Sequence, residues 1–214
     1  MTSRAEILAA ARRLTDRDGW EKLTVRSLAA ELGIGATTLY RHVRDREDLL
    51  LLLLNEYAAH ITQPDLSGDP RERIVAAATA LHDALAEWPW AAEVLTVDGF
   101  VGRLNESALW TVETIVAAAE EHGCTPAQAV EVFRSLWYYT VGEILVRTRS
   151  ARVRHTDSPP AAGKGSLGGI DPARLPHLAA IGDQWPAIAA RDTYPRHLVA
   201  VVDGLLTHAT SAPT

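Results

Sequence analysis

The side chains of this sequence that are best suited to bind a nucleic acid lie in one short segment, GATTLYRH, at positions 35–42. Ala36, Thr37 and Thr38 are small, so a helix that begins here can bring its backbone close to a second surface. The threonines can hydrogen-bond to bases or phosphates, and Arg41 can reach a guanine edge or a phosphate. Because the N-terminal residues of a helix in the major groove contact base edges, we interpret this segment as the tip of a recognition helix.

The flanks of this tip carry further side chains that suit DNA phosphates. Tyr40, His42 and Arg46 come within and just after the tip, and each can hydrogen-bond to a phosphate oxygen. Thr24 and Arg26 stand at the start of the preceding predicted helix, where exposed backbone N–H groups can hold another phosphate. The alternative is a packing motif with a solvated basic flank, because helix-turn-helix geometry also occurs in proteins that never touch DNA.

The distribution of charge permits a basic face near the N-terminus. The 214 residues carry 21 Lys and Arg against 27 Asp and Glu, which gives a net charge of −6. Residues 1–48 contain nine basic and eight acidic residues, whereas 49–214 contain twelve and nineteen. The net charge argues weakly against a purely electrostatic nucleic-acid binder, but the acidic excess lies in the second part of the chain.

Helix signals surround the tip. Ser3 and Glu6 form a capping box that predicts a first helix. Thr24 caps a second, short helix that ends at Gly33, and a third is expected from about 35 to 43. Two short helices joined by a tight turn that contains glycine are the helix-turn-helix pattern. The side chains expected to face the first helix are Leu28, Ile34, Leu39 and Val43.

A leucine-rich helix is predicted after the tip. Asp45 can cap a helix from about 46 to 61, and its six leucines at 49–54 cover every side. A helix that is apolar all round is buried on more than one face, so we expect two packed bodies to share it. The predicted domains are therefore 1–48, which holds the helix-turn-helix, and 62–214, which forms a larger body.

The remainder of the chain is also patterned as helix and lacks the alternation typical of strands. Pro70, Pro89 and Pro126 each stand where a helix is expected to begin. Residues 152–176 are rich in proline and glycine and predict a flexible loop. We therefore expect an all-α fold. The helices predicted after the linker span about 71–87, 89–96, 103–122, 126–150, 173–190 and 192–209.

The segment LTVRSLAAELGIGATTLYRHVRDREDLL at 23–50 resembles the N-terminal signature of the TetR family of transcriptional repressors. The resemblance covers residues 3–60 well and, beyond them, only the number and lengths of the helices and the late loop. It implies that four residues stand at positions that touch DNA in the family, namely Thr37, Tyr40, His42 and Arg46. It also implies that three positions vary among members and tune the operator sequence, namely Ala36, Thr38 and Arg41.

The same resemblance implies a homodimer that binds a palindromic operator and a small effector. A single short recognition helix reads only a few base pairs, whereas a dimer pairs two half-sites. The helix expected at 192–209 has a wide apolar surface, so we expect it to pair with helix 126–150 and with its own copy in a second subunit. The alternative is an ordinary internal helix.

Aromatic residues are frequent in the predicted body and indicate an apolar ligand cavity, with plain core as the simpler explanation for any one of them. The side chains expected to line the cavity are some of Leu81, Trp88, Trp110, Phe133, Trp137 and Tyr138. His82 or Arg134 would supply a polar contact. The predicted effector is elongated and largely apolar or aromatic.

The helix order and the late loop resemble the tetracycline-type members of the family, but the residues that chelate the drug do not carry over. In an approximate alignment, Leu95 stands at the position of the metal-binding histidine. Ala77 and Leu81 stand at the positions of the drug-binding asparagine and phenylalanine. We therefore expect no metal, no cofactor and no tetracycline–magnesium complex at this site.

The sequence contains no convincing enzyme motif. The run GKGSLG at 163–168 spells a dinucleotide-binding pattern but lacks the strand that must precede it. The basic run at 147–155 fits a solvated helix end better than a nucleic-acid site. Cys124 is the single cysteine, so no intramolecular disulfide can form, which suits a cytoplasmic protein. The longest apolar run is far shorter than the ~20 residues of a membrane helix, so no membrane contact is expected.

Two classes of function remain open. The first is a ligand-responsive DNA-binding repressor without enzymatic activity. The second is a helical small-molecule-binding protein, or an enzyme, with an incidental helix-turn-helix and an active C-terminal cavity. A gel shift against the DNA upstream of the gene separates the two, because only the first class predicts specific binding.

Overall fold

The computed structural model describes residues 3–96, 99–156 and 167–211. Within these ranges the chain forms helices and no strand, which confirms the predicted all-α class. The α-helices in chain order are α1 (Arg4–Asp18), α2 (Val25–Glu31), α3 (Ala36–Leu39), α4 (Arg46–Ala58), α5 (Pro70–Glu87), α6 (Pro89–Val94), α7 (Glu106–Glu121), α8 (Pro126–Thr156), α9 (Pro176–Ile181), α10 (Trp185–Ala189) and α11 (Tyr194–Ser211).

The first three helices form a small head. Ser3 opens α1 as predicted: its Oγ accepts from the N–H of Glu6 at 3.2 Å, and Glu6 Oε2 accepts from the N–H of Ser3 at 2.7 Å. Ile34, which was expected inside, is partly buried against the core. Each buried leucine stabilises the fold by ~1.5–3 kcal/mol, so this core can hold even a very short α3 in place. The buried side chains of the head include Ile7, Leu14, Leu28, Leu39 and Val43.

The turn between α2 and α3 depends on Gly33. Its φ is +65°, in the left-handed region that L side chains rarely adopt. The N–H of Gly33 donates to the carbonyl of Ala30 at 3.1 Å, and the N–H of Ile34 donates to that of Ala29 at 3.0 Å. This pair of bonds ends α2 and turns the chain into α3.

Helix α3 is shorter than the predicted 35–43. Its α-helical part stops at Leu39, and the chain continues through turns. The N–H groups of Arg41 and His42 donate to carbonyls three residues back, at 3.3 and 2.9 Å. The last part of the segment is therefore wound more tightly than an α-helix, as is common at helix ends.

Helix α4 is shared by the head and the larger body, as its leucines predicted. Leu49 and Leu53 are fully buried, and Leu52 is the one leucine of the six that is only partly buried. The helix packs against α1 of the head and against α6 and α7 of the body. It ends at Ala58, before the predicted end at 61.

The body packs around four long helices. α5 contacts α7 and α8, and α11 contacts α8 and α5. Each of these helices contributes a fully buried side chain to the core, namely Ile74 from α5, Ile115 from α7, Leu136 from α8 and Leu198 from α11. None of the helices in the described ranges is long and apolar enough to cross a membrane.

Two predicted boundaries in the body are wrong. Helix α8 continues to Thr156, because its end is rich in Arg, which favours helix, so the predicted loop begins too early. The predicted helix 173–190 is broken into α9 and α10 by the 3-10 turn Gly182–Gln184, where Gly182 takes a φ of +51°. Residues 157–166, which hold most of the GKGSLG run, lie outside the described residues.

Candidate functional site

The α3 segment is anchored in the head by buried residues and presents polar side chains to solvent. Leu39 and Val43 are 0% and 1% exposed and anchor the segment in the head. Tyr40 is 52% exposed although its ring is large. Ala36 is partly buried against the head core. The predicted DNA-binding residues that the structure brings together on the exposed side are Thr37, Thr38, Tyr40, Arg41 and His42.

The N-terminus of α2 is capped by the side chains of Thr24 and Ser27. Thr24 Oγ1 accepts from the N–H of Ser27 at 3.0 Å, and Ser27 Oγ accepts from the N–H of Thr24 at 2.9 Å. Arg26 is exposed in the first turn. The hydroxyl of Thr24 therefore stabilises the helix end, and contact of Thr24 and Arg26 with a phosphate stays a prediction.

Arg46 binds the head itself. Its Nε donates to the carbonyl of Leu23 at 2.8 Å and its Nη2 to the carbonyl of Trp20 at 3.0 Å. The guanidinium also lies over the Trp20 ring, 5.0 Å from the centroid. The sequence placed Arg46 among the DNA contacts and missed this role, which pins α4 to the loop between α1 and α2. Its contact with DNA stays a prediction.

Two aspartates fix the turn between α3 and α4. Asp45 Oδ1 accepts from the N–H of Asp48 at 2.8 Å and so caps α4 as predicted. Asp48 Oδ2 in turn accepts from the N–H of Arg44 at 3.0 Å. This backbone hydrogen bond is the main cause that lowers the pKa of Asp48 below its ordinary value. The carboxylate form therefore holds the turn at neutral pH.

An apolar cavity lies in the body, where the body packs against α4. The cavity volume is about 60 Å³, and the cavity is partly open to solvent. Five of the predicted lining residues are at its wall, namely Leu81, Trp88, Trp110, Phe133 and Trp137. The sequence did not single out several others, which include Leu54, Ala58, Phe100, Leu104 and Thr111. No charged side chain is found among the described residues of the wall.

Sequence reasoning missed those residues because they come from elements far apart in the chain. Leu54 and Ala58 belong to the leucine-rich α4, where nothing distinguishes a cavity wall from core. Phe100 lies in the 3-10 turn Phe100–Arg103, and its ring packs 4.7 Å from that of Trp137. A local pattern gives no signal for a space that six elements enclose.

Three of the candidate ligand contacts do not line this cavity. Arg134 and Tyr138 lie on the outer face of α8, where Arg134 Nη2 donates to the Tyr138 hydroxyl at 2.9 Å and Tyr138 is 59% exposed. Each follows a cavity residue by one position, and one step along a helix turns the side chain by about 100°. They therefore point away from Phe133 and Trp137.

His82 is the third of these positions. Its ring stacks on Tyr194 of α11 at 3.8 Å, and its Nε2 lies 3.2 Å from Glu143 Oε2 of α8. It follows the cavity residue Leu81 by one position, so the same helical rotation turns it toward α11. His82 joins three helices of the body instead of contacting the cavity.

Aromatic rings connect the cavity wall to the head. Trp88, at the junction of α5 and α6, packs 4.6 Å from the ring of Tyr57 in α4. The guanidinium of Arg12 in α1 lies over the Tyr57 ring, 4.5 Å from its centroid. Trp88 of the cavity wall and Arg12 of the head therefore both contact the buried Tyr57.

An exposed helix-turn-helix tip and an apolar cavity joined by one helix define a helix-turn-helix transcriptional regulator with an apolar pocket in its body. Residues 7–53 match the model of the bacterial regulatory proteins of the tetR family, and residues 63–208 match that of the tetracyclin repressor-like C-terminal domain. The chain belongs to the tetR family.

Related proteins carry regulator names. An HTH-type transcriptional regulator of Saccharopolyspora erythraea is 31% identical over 182 residues, which cover 78% of this chain and 76% of that one. The HTH-type transcriptional repressor DrrR1 of Streptomyces coeruleorubidus is 31% identical over 139 residues, 64% of this chain and 50% of that protein. These names agree with a function in transcription regulation.

Solved structures share the fold over the full length. ActR of Streptomyces coelicolor in complex with (S)-DNPA has a TM-score of 0.76 at 23% identity, covering 97% of this chain and 98% of its own. BioQ with its double-stranded DNA operator has a TM-score of 0.65 at 22% identity, covering 97% of this chain and all of its own. At these identities the likeness establishes the fold.

Proposed function

We propose that this regulator is a repressor that binds a palindromic operator as a homodimer and is released by a small, largely apolar effector. One observation carries the proposal: α4 begins at the recognition head and ends in the cavity. Arg46 in its first turn is bonded to the head, and Leu54 and Ala58 near its end line the cavity. The operator complex of BioQ and the ligand complex of ActR support both arms by analogy.

The domains of this proposal follow the predicted division. Residues 1–48 would form the DNA-binding domain, 46–61 the connecting helix, and 62–214 the effector-binding and dimerisation domain. The tip residues Thr37, Thr38, Arg41 and their neighbours would enter the major groove. The cavity would take the effector, and no catalytic step is proposed. As a bacterial regulator that acts on chromosomal DNA, the protein would work in the cytoplasm.

The outer faces of α8 and α11 are the proposed dimer interface. Three large apolar side chains of α8 are exposed, namely Val130, Tyr138 and Val146, at 49%, 59% and 67%. A partner subunit that covered them would remove this apolar surface from water. α11 packs against α8, and Gln128 Nε2 donates to the carbonyl of Ala209 at 2.7 Å. A two-fold dimer would bring these helices together as a four-helix bundle.

Two routes would transmit effector binding to the head. In the first, a molecule that displaces Trp88 also displaces Tyr57, on which Arg12 of the head lies. In the second, Phe100 in the cavity wall shares its short 3-10 turn with Arg103, which pairs with Glu47 in the first turn of α4. Either shift would change the distance between two recognition helices, and a mis-spaced dimer binds its half-sites more weakly.

Operator binding is tested with labelled duplexes made from the DNA upstream of the gene. The full chain should bind one inverted repeat, with an affinity that falls steeply as salt is raised, because phosphate contacts release counterions. The matched control is the same repeat with its half-sites moved apart by about five base pairs, half a helical turn. Equal binding to both spacings, or a monomer at working concentration, would contradict the proposal.

The alternative function, a small-molecule-binding protein or enzyme with an incidental helix-turn-helix, predicts a different outcome. Binding to DNA would then be weak at every sequence and insensitive to half-site spacing. The cavity favours binding over catalysis, because its described wall offers no charged or nucleophilic pair of side chains.

A further inference from the structure

The hydroxyl group of Thr111 forms no hydrogen bond with the part of the chain that the structure describes. The residue is 4% exposed and lies at the cavity wall, on the same face of α7 as the buried Ile115. Among the described residues its hydroxyl makes no hydrogen bond. The other buried threonine of the described chain, Thr140, is bonded to the Tyr194 hydroxyl at 2.8 Å.

The hydroxyl of Thr111 is not satisfied within its own helix. A threonine within a helix can donate to the carbonyl four residues back, as Thr114 does to Trp110 at 2.8 Å. Thr111 makes no such bond, so its hydroxyl remains available to a molecule in the cavity.

The other polar groups of the wall restrict that molecule further. The indole rings of Trp88, Trp110 and Trp137 each offer one N–H donor and no acceptor. No charged side chain lines the described wall, and an ionised group moved into such a space loses its hydration without compensation. The cavity therefore suits a neutral molecule that carries hydrogen-bond acceptors.

We propose that the effector is a neutral, flat aromatic molecule with a carbonyl or hydroxyl oxygen, and that Thr111 selects it by a hydrogen bond to that oxygen. The inference rests on the proposed effector function of the cavity. Flat rings fit a wall of indole and phenyl groups, which prefer stacked or edge-on contacts. The oxygen distinguishes the effector from a plain hydrocarbon, and neutrality distinguishes it from an organic acid.

Three small probes separate these requirements. 9-Fluorenone has a flat aromatic body and one carbonyl, fluorene has the same body without the oxygen, and 9-fluorenone-2-carboxylate adds a charge. Calorimetry on the full chain should give about 5-fold tighter binding of fluorenone than of fluorene, the worth of one net hydrogen bond. The carboxylate should bind at least about 10-fold more weakly than fluorenone.

Two variants assign the preference to Thr111. Thr111→Val keeps the shape and removes the hydroxyl, so it should bind fluorene as the wild type does and lose the preference for fluorenone. Thr111→Ser keeps the hydroxyl and should retain the preference. Thr111→Val should also melt no lower than the wild type, because it removes an unpaired polar group. That melting curve shows directly whether the variant has folded.

The outcomes separate this inference from the function on which it rests. If wild type binds fluorene and fluorenone equally, or if Thr111→Val keeps the preference, the cavity is a ligand site and the role of Thr111 is refuted. Tight binding of the carboxylate refutes the requirement for neutrality. If no probe binds the wild type, the inferred type of effector is refuted, and the operator experiments decide the DNA-binding function separately.

Discussion

The recognition tip and the cavity are built in opposite ways. The tip is one continuous segment, anchored by Leu39 and Val43 and exposed at Thr37, Thr38 and Tyr40. The cavity gathers side chains from α4 to α8, across more than eighty positions, and turns them inward. A surface that one segment forms can be predicted from the local sequence. A cavity forms only when helices that are distant in sequence pack together.

This difference explains what the sequence predicted well. The capping box of Ser3 and Glu6, the cap at Asp45 and the glycine turn at Gly33 are local signals, and the structure has all of them. The six leucines predicted a shared helix for an equally simple physical reason, since a helix without a polar face has to be covered on all sides.

The same difference explains the errors. Phe133 and Trp137 line the cavity, whereas Arg134 and Tyr138 lie outside, and only the rotation of α8 decides which pair faces inward. Composition places aromatic residues in the body but does not give that rotation. His82 was misplaced for the same reason, because its partners on α8 and α11 are distant in sequence.

The largest effect is expected at α4, which packs against the head and lines the cavity. Leu49 is 0% exposed, so Leu49→Ala should lower the free energy of unfolding by about 3 kcal/mol. Leu52→Ala, at a partly exposed position of the same helix, is the matched control and should cost about 1 kcal/mol. Urea unfolding followed by circular dichroism measures both. Equal effects would mean that the two faces of α4 are not buried differently.

The tip alone is tested by replacing Thr37 and Tyr40 with alanine. Both are exposed, so the double variant should keep its melting temperature and its affinity for fluorenone. Operator affinity should fall about 100-fold, because each subunit of the dimer loses base and phosphate contacts. Fluorescence anisotropy with the labelled inverted repeat gives the constants. An unchanged affinity would show that another surface reads the DNA.

The body alone is tested at alkaline pH. Burial raises the pKa of Tyr194 to about 12, whereas an exposed tyrosine ionises near pH 10. Since the folded value lies above the unfolded one, this stabilisation is complete below about pH 10 and is lost as the pH rises toward 12. The free energy of unfolding should drop by about 2 kcal/mol over this window.

Tyr194→Phe is the control for that measurement, because phenylalanine cannot ionise. It loses the hydrogen bond to Thr140 at every pH, but it should lose less further stability than the wild type as the pH rises. Parallel losses in the two proteins would show that another group is responsible for alkaline unfolding.

The smallest effect is expected at Arg46, which bonds α4 to the head. Arg46→Lys keeps the positive charge but cannot bond to the carbonyls of both Leu23 and Trp20. We expect a loss of about 1 kcal/mol in the free energy of unfolding, and a loss of operator affinity of about 5-fold. Arg44→Lys, at an exposed arginine nearby, is the control. If Arg46→Lys weakens DNA binding without any loss of stability, Arg46 acts as a phosphate contact alone.

The coupling of the two regions is tested most directly by operator affinity with and without a molecule that fills the cavity. Anisotropy titrations at one fixed salt concentration would compare the free protein with protein saturated by 9-fluorenone. The account predicts that saturation weakens operator binding about 10-fold, a coupling free energy of about 1.4 kcal/mol. An operator affinity that stays the same while the cavity is occupied would contradict it.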